Sequence, residues 1–474
     1  MRTHLWISAI VLSTTTAAFA QSFPPSDYRS QVGYGELFDA TGTSLPDGSG
    51  VDVALIEPRF GDRYRPNLNS SEFTGKNLVD RSNLSTGTSN HATGSAVRLF
   101  GNATSMTPGV TAVDLWDAGD WLGASLNSGS YLVGGGNGSA PDVQTVDVAS
   151  HSYIFSANEP PFAPEINRRL DLTASRDNVT HVVGTNNGAA NPLPQGFAHS
   201  YNSITVGRTD GSHAAGPTTI NGAGRVKPDI VAPQSTTSTA TPVVGSAAVL
   251  MRATAAAIGD PDAARHEVTK AVLMAGATKD EFASWDQTAT RPLDERYGAG
   301  ELNVANSYRI LTAGQFDAGQ TADAPNTPDG PDVGWDLGEP LTAGSVARYD
   351  FGFDTDIIDA SFLLTWDAIV GDAGGVLDYD LLDVPDLSLT LAASDGAGGF
   401  ATVALSDSPV DNVEHLYFAD LAAGDYRLTV ASNAGSTPTD YALAWRVTAV
   451  PEPGPLTWVI VSAFAASIRR RRTR

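Results

Sequence analysis

The sequence predicts an α/β domain, with a mainly parallel sheet flanked by helices, followed by an all-β sandwich. Three observations carry this. Short β-branched runs alternate with helical stretches over residues 22–312. A Pro-, Gly-, Asp- and Thr-rich stretch over 313–341, without periodicity, then reads as a linker. Beyond it the apolar period becomes two, which predicts a sandwich over 342–449.

At 474 residues the chain exceeds what one hydrophobic core supports, and a 41% hydrophobic composition is globular. The absence of cysteine excludes disulfides, thiolate chemistry and Cys-ligated zinc. In the first part, Val51–Ile56, Val179–Val183 and Ser203–Val206 read as buried strands, and Pro242–Ala257 and His266–Ala275 as helices. In the second, Leu387, Leu389 and Leu391 alternate with Ser388 and Thr390. Tyr426, Leu428 and Val430 alternate with Arg427 and Thr429, and Tyr441, Leu443, Trp445 and Val447 repeat the pattern. The composition break predicts that the α/β part folds without the sandwich.

The net charge of −24 is concentrated late: Thr321–Val450 carries 22 acidic residues against three basic ones. Such a field argues against a nucleic-acid partner and reads as solubility outside the cell. Calcium binding by some of these aspartates is the weaker alternative, since no EF-hand spacing occurs. No other metal or cofactor is expected.

Both ends carry processing signals. Residues 1–20 combine Arg2, an apolar run Leu5–Leu12 and Ala18-Phe19-Ala20, the pattern of a secretory signal peptide. At the other end, 450–474, Pro451-Glu452-Pro453 precedes a short apolar stretch, Leu456–Ile468, read as a short transmembrane segment, and the arginines Arg469–Arg472 and Arg474. This end resembles the PEP-CTERM sorting tail of Gram-negative bacteria. The resemblance implies transient membrane anchoring, a sorting transpeptidase that cuts near the Pro-Glu-Pro, and a mature protein at the cell surface or outside the cell.

Four segments carry candidate chemistry. Ser238 lies in Thr237-Ser238-Thr239-Ala240-Thr241-Pro242, after Lys227-Pro228-Asp229-Ile230-Val231-Ala232-Pro233. A serine this close before a proline sits at a helix start, where free N–H groups and the positive dipole end favour developing negative charge. The plain alternative is that Ser238 is an N-cap. His91 lies in Asn90-His91-Ala92-Thr93-Gly94, Asn186 in Gly184-Thr185-Asn186-Asn187-Gly188, and Glu57 ends the apolar run Val53–Ile56.

In this order the segments resemble the signature segments of the subtilase family of serine peptidases, over about residues 30–312. The resemblance implies a subtilisin-like fold and a peptide-hydrolysing site: Ser238 as nucleophile, His91 as base and Glu57, where the family has Asp, orienting His91. It also implies Asn186 as oxyanion donor, with Asn187 in that role if the loop is shifted by one residue, and Ser152 on the substrate-cleft strand. Ala92 and Thr236 stand where the family has Gly. The implied activity is that of an exported serine endopeptidase acting on protein or peptide substrates. The alternative is a catalytically silent surface or matrix-binding protein on the same fold. The short stretch between Gln21 and Glu57 leaves no room for a folding-assisting prodomain, so the chain is expected to fold without one.

Intact-mass measurement on protein from the native host is expected to show a chain that ends near Pro453; retention of Arg469–Arg474 would count against the sorting tail.

Overall fold

The computed structural model describes residues 23–84, 86–123, 132, 140–156, 162–318, 329–372 and 379–450. The signal-like residues 1–20 and the tail from Pro451 lie outside the described residues, as does the middle of the 313–341 segment.

In chain order the first part runs α1 (Tyr28–Gln31), α2 (Tyr34–Thr41), β1 (Val53–Glu57), β2 (Arg63–Arg65), β3 (Asn77–Asp80), β4 (Gly87–Thr88) and α3 (Asn90–Phe100). It continues β5 (Ala112–Asp117), α4 (Ala118–Leu122), β6 (Val148–His151), α5 (Phe162–Asp177), β7 (Thr180–Gly184), β8 (Ile204–Arg208), β9 (Gly216–Pro217), β10 (Val226–Lys227) and β11 (Ile230–Ala232). Three helices close it: α6 (Thr237–Ile258), α7 (His266–Gly276) and α8 (Val304–Thr312).

Seven of these strands form one parallel sheet in the order β11-β8-β7-β6-β1-β5-β3. β1 and β7 are buried at every position, because helices cover both faces and alternation gives way to continuous apolar runs. The order reverses around β1 and β6, and in such sheets ligands bind beyond the carboxyl ends of strands near that switch. Glu57 ends β1 there.

Helix α6 runs through the interior, with 17 of its residues buried from Thr237 to Ala255. It is long and apolar enough to cross a membrane by composition, yet 83% of its most apolar window is buried inside the protein, as suits a core helix.

The second part is a β-sandwich. One antiparallel sheet has the order β12-β21-β14-β19, built from β12 (Val333–Leu341), β14 (Ile357–Thr365), β19 (Val413–Phe418) and β21 (Thr439–Ala449). The other, β13-β20-β17-β18, comprises β13 (Val346–Phe353), β17 (Leu387–Ser394), β18 (Phe400–Ser406) and β20 (Gly424–Ser432). Tyr349, Phe351, Leu389, Leu428, Leu443 and Trp445 fill the space between them. A hairpin of β15 (Ile369–Asp372) and β16 (Tyr379–Asp383) leaves the sandwich and packs on α5. The fold class is therefore the one predicted.

Two expectations change. Val333–Leu341 lies inside the segment read as linker but forms a strand paired along β21. Its glycines and Pro340 mimic loop composition, and they are tolerated because β12 is an edge strand. The sandwich is also no independent appendage. Leu363, Val413, Ala442, Ala444 and Trp335 belong to the same apolar core as α6, α7 and α8. β21 reads as alternating because Ala442 and Ala444 are small; that face is buried against α7, and small side chains there let the helix lie close.

Polar groups reinforce the seam. Arg446 Nε donates to Ala275 O at 3.1 Å, and Asn412 Nδ2 to Tyr201 O at 3.2 Å. Ala368 N donates to Asn202 Oδ1 at 2.9 Å, and His266 Nε2 lies 3.0 Å from Asp367 Oδ2. Trp335 is 1% exposed and donates from Nε1 to Leu311 O at 3.0 Å.

A chain truncated after Gln315 is therefore expected to lose cooperative thermal unfolding, the opposite of what the composition break predicts. Trp335→Ala in the full chain is expected to cost about 3–5 kcal/mol in denaturant unfolding; a truncated chain that melts as sharply as the full one would refute the shared core.

Candidate active site

Glu57 is carried by the last residue of β1, the strand buried at every position, so its carboxylate enters the protein with 1% exposure. His91 is the second residue of α3, whose N-cap Ser89 accepts a hydrogen bond from Ala92 N at 3.3 Å. Ala92 is fully buried there. This start aims the imidazole back at the strand end, and His91 Nδ1 lies 2.5 Å from Glu57 Oε2. The extra methylene of Glu is thus taken up without loss of contact.

Asp52, five residues earlier, is exposed at the opposite edge of the sheet. Asp117 ends the neighbouring β5 in register with Glu57, but it caps α4 by accepting from Asp120 N at 3.0 Å and pairs with Arg59.

The electrostatics of the pair follow from burial. Desolvation pushes the Glu57 carboxyl above its ordinary range, and the His91 hydrogen bond and charge oppose it. Its Oε1 accepts no well-formed hydrogen bond among the described residues; the Ser95 hydroxyl beside it favours the charged form without completing one. Burial disfavours the charged imidazole of His91, but the hydrogen bond and negative charge of Glu57 outweigh it and raise the ring above 6.5.

Ser238 is the second residue of α6 and half-buried. The N-cap is Thr236, which accepts from Thr239 N at 3.2 Å, so capping does not account for Ser238. Pro242 lacks the N–H that would bond to Ser238 C=O in a regular helix. The preceding Lys227-Pro228-Asp229 segment is fixed by a buried ion pair, Lys227 Nζ to Asp229 Oδ2 at 2.8 Å, and by Thr205 N donating to the same carboxylate at 2.7 Å. Gly298 closes on it: a Cβ there would lie 2.4 Å from Asp229 O.

A cavity of about 240 Å³ brings these groups together. Its lining includes His91, Ser238, Asn186, Asn187 and Ser152, with Pro58, Phe60, Tyr153 and Ile154 supplying apolar walls. Phe60 is 57% exposed and its ring centroid lies 5.6 Å from that of His91. The buried Ser152 hydroxyl has no partner among the described residues. A larger cleft, about 670 Å³ and lined by Asp262, Asp317, Asp336 and Glu339, holds no comparable set of groups.

The two asparagines differ. Asn187 Oδ1 accepts from Thr237 N at 2.9 Å, which fixes the amide orientation and leaves Nδ2 as the donor beside the start of α6. Asn186 contributes its backbone carbonyl to Ala214 N at 2.8 Å. The one-residue shift left open in the sequence is thus the register in which a side-chain amide touches the Ser238 segment. The spacing to Gly188 favours Asn186, and only contact with Thr237 distinguishes the two.

His151 and His181 are buried in an aromatic cluster with Trp121 and Phe197, and desolvation lowers His151 to about 3.

No protein-family model matches the chain, and no curated protein does. Among solved structures it is similar to an Aeromonas sobria serine protease in complex with its chaperone, at 14% identity over 86% of this chain and 89% of that one, TM-score 0.36. It is also similar to a cold-adapted subtilisin-like serine proteinase, at 18% identity over 54% and 88%, TM-score 0.32. A protease of Pseudoalteromonas arctica is similar at 15% identity over 57% and 93%, TM-score 0.34.

The His91 imidazole is expected to titrate above 6.5 by NMR. In Glu57→Gln, where burial is left unopposed by a carboxylate, it is expected to fall below 6.5. An unchanged value would show that Glu57 does not set the charge state of His91.

Proposed function

We propose that the chain is an exported serine endopeptidase of the subtilisin type, with Ser238, His91 and Glu57 as its triad. The observation that carries this reading is the 2.5 Å contact between Glu57 Oε2 and His91 Nδ1, in a cavity that Ser238 also lines at the start of a buried helix. Glu57 holds the tautomer with hydrogen on Nδ1, so Nε2 is the nitrogen able to take the Ser238 proton. Ser238 Oγ attacks the peptide carbonyl and Nε2 accepts its proton. The same proton passes to the leaving amine as the C–N bond breaks. Water then hydrolyses the acyl-enzyme by the same exchange in reverse.

The negative oxygen of the tetrahedral intermediate is held by Ser238 N–H and the Asn187 amide, favoured over Asn186 by its bond to Thr237. Ser152 lies on the substrate-binding wall. The apolar lining by Pro58, Phe60, Tyr153 and Ile154 fits neutral peptide side chains. Export rests on the signal-like N-terminus. Release at the surface by a sorting transpeptidase, after transient membrane anchoring, rests on the Pro-Glu-Pro tail.

Ser238→Ala is expected to leave a folded protein with at least roughly a thousandfold lower kcat/KM on peptide substrates, and wild-type turnover in that variant would end the proposal. Glu57→Gln is expected to lose about as much as amide replacement of a triad carboxylate does elsewhere, roughly ten-thousandfold. Glu57→Asp is expected to fall below wild type because the shorter chain no longer reaches Nδ1; an Asp variant faster than wild type would show that Glu57 is a lesion.

A further inference from the structure

The loop that carries Asn187 is itself held by a neighbouring segment. Asn187 and His213 are antiparallel bridge partners. Gly188 N donates to Ser212 O at 3.0 Å and Ala214 N to Asn186 O at 2.8 Å, so backbone bonds flank the Asn187–His213 pair on both sides. His213 is fully buried, and both ring nitrogens are used. Nδ1 accepts from Arg208 N at 3.0 Å, which places the ring hydrogen on Nε2, where it donates to Arg296 O at 2.8 Å.

The ring is wedged where little else fits. A Cβ on Gly207 would lie 2.6 Å from His213 Nε2 and 2.8 Å from Pro228 Cγ, so that position must be glycine while the ring is there. Two arginines extend the clamp. Arg208 donates from Nη1 to Ser212 O at 3.0 Å and from Nε to Gln234 O at 3.2 Å, two residues before the N-cap of α6. Arg296 donates from Nη1 to His213 O at 2.8 Å.

We infer that His213 is a positioning residue: it fixes the 212–214 segment and, through its ladder with 186–188, the placement of the Asn187 amide relative to Ser238. This rests on the peptidase reading above. The charged groups facing the ring are Arg208, Arg296 and Asp210. Burial foremost, with the two guanidiniums, lowers the imidazole to about 4, while the Arg296 carbonyl and Asp210 oppose this. The ring therefore remains the neutral form that accepts from Arg208 N.

The test compares His213→Ala, His213→Asn and His213→Gln, each alone and with Asn187→Ala, on a small chromogenic peptide. Asn can keep the acceptor at the Nδ1 position and Gln the donor at the Nε2 position, whereas Ala keeps neither. His213→Ala is expected to lower kcat roughly tenfold to a hundredfold, the scale of a small misplacement, with KM changed less than about twofold. Asn or Gln is expected to recover part of the loss. With Asn187 already alanine, the further loss from His213→Ala is expected to shrink to about threefold or less, because two residues acting through one group are non-additive. A merely structural role leaves the two losses multiplicative, and that result would overturn the inference. If His213→Ala does not fold, wild-type kcat in both the Asn and Gln variants would overturn it equally. Ser238→Ala, measured in parallel, separates the two levels: retained turnover there would remove the peptidase reading itself.

Discussion

A helix apolar on every side can exist in water only if other elements wrap it, and α6 sets that requirement here. From Ala240 to Ala255 every residue is buried and no face is given to solvent. The parallel sheet covers one side through β6, β7 and β8, while α3, α7 and α8 pack around the rest. The sandwich then seals α7 through β21 and β14. The stability of each layer depends on the next, because removing one exposes apolar surface on the one beneath. The same requirement places the candidate site. A helix fully buried along its length can meet solvent only at an end, and the N-terminal end emerges at the carboxyl edge of the sheet, carrying Ser238 on its first turn.

The Glu57–His91 pair is a second consequence of that burial. A carboxylate at the end of a strand buried throughout is costly unless it is paired, and His91 is its partner. The cost and the proposed role share one cause: the desolvation that raises Glu57 also strengthens its hold on the imidazole, since an interaction in low dielectric is less screened. Solvent reaches His91 on one side, where it is 28% exposed, and Phe60 covers part of the ring. The arrangement keeps Nδ1 dry and leaves the other side of the ring toward the cavity.

Much of this was legible in the residues. β1, β7 and β8 match their apolar runs within two residues, since continuous β-branched stretches bounded by glycine or proline have few other solutions. Glu57, His91, Ser238 and Ser152 stand out in the sequence as candidates by motif and order, and they line or support one cavity. What escaped depends on contacts between distant segments. The choice between Asn186 and Asn187 turns on a bond to Thr237, fifty residues away. The strand Val333–Leu341 is disguised by Gly334, Gly338 and Pro340, tolerable only at an edge. Thr236 departs from the expected glycine, and its capping role appears only once the first turn of α6 is placed.

The alanines of β21 show why the relation between the two parts was hardest to read. In a free-standing sandwich the outward positions of a central strand meet water and tend to be polar. Ala442 and Ala444 satisfy a pattern of alternation as well as any small polar residue, yet they are buried at 1% and 0% exposure. Their smallness permits α7 to lie close, and Arg446, two positions on, turns its guanidinium to the helix end, bonding Ala275 O and Ala277 O. Those are carbonyls at the C-terminus of α7, where a positive charge opposes the helix dipole and satisfies orphan acceptors. One strand thus presents two small residues to the side of a helix and a cation to its end. That is a docked interface written in a period-two pattern.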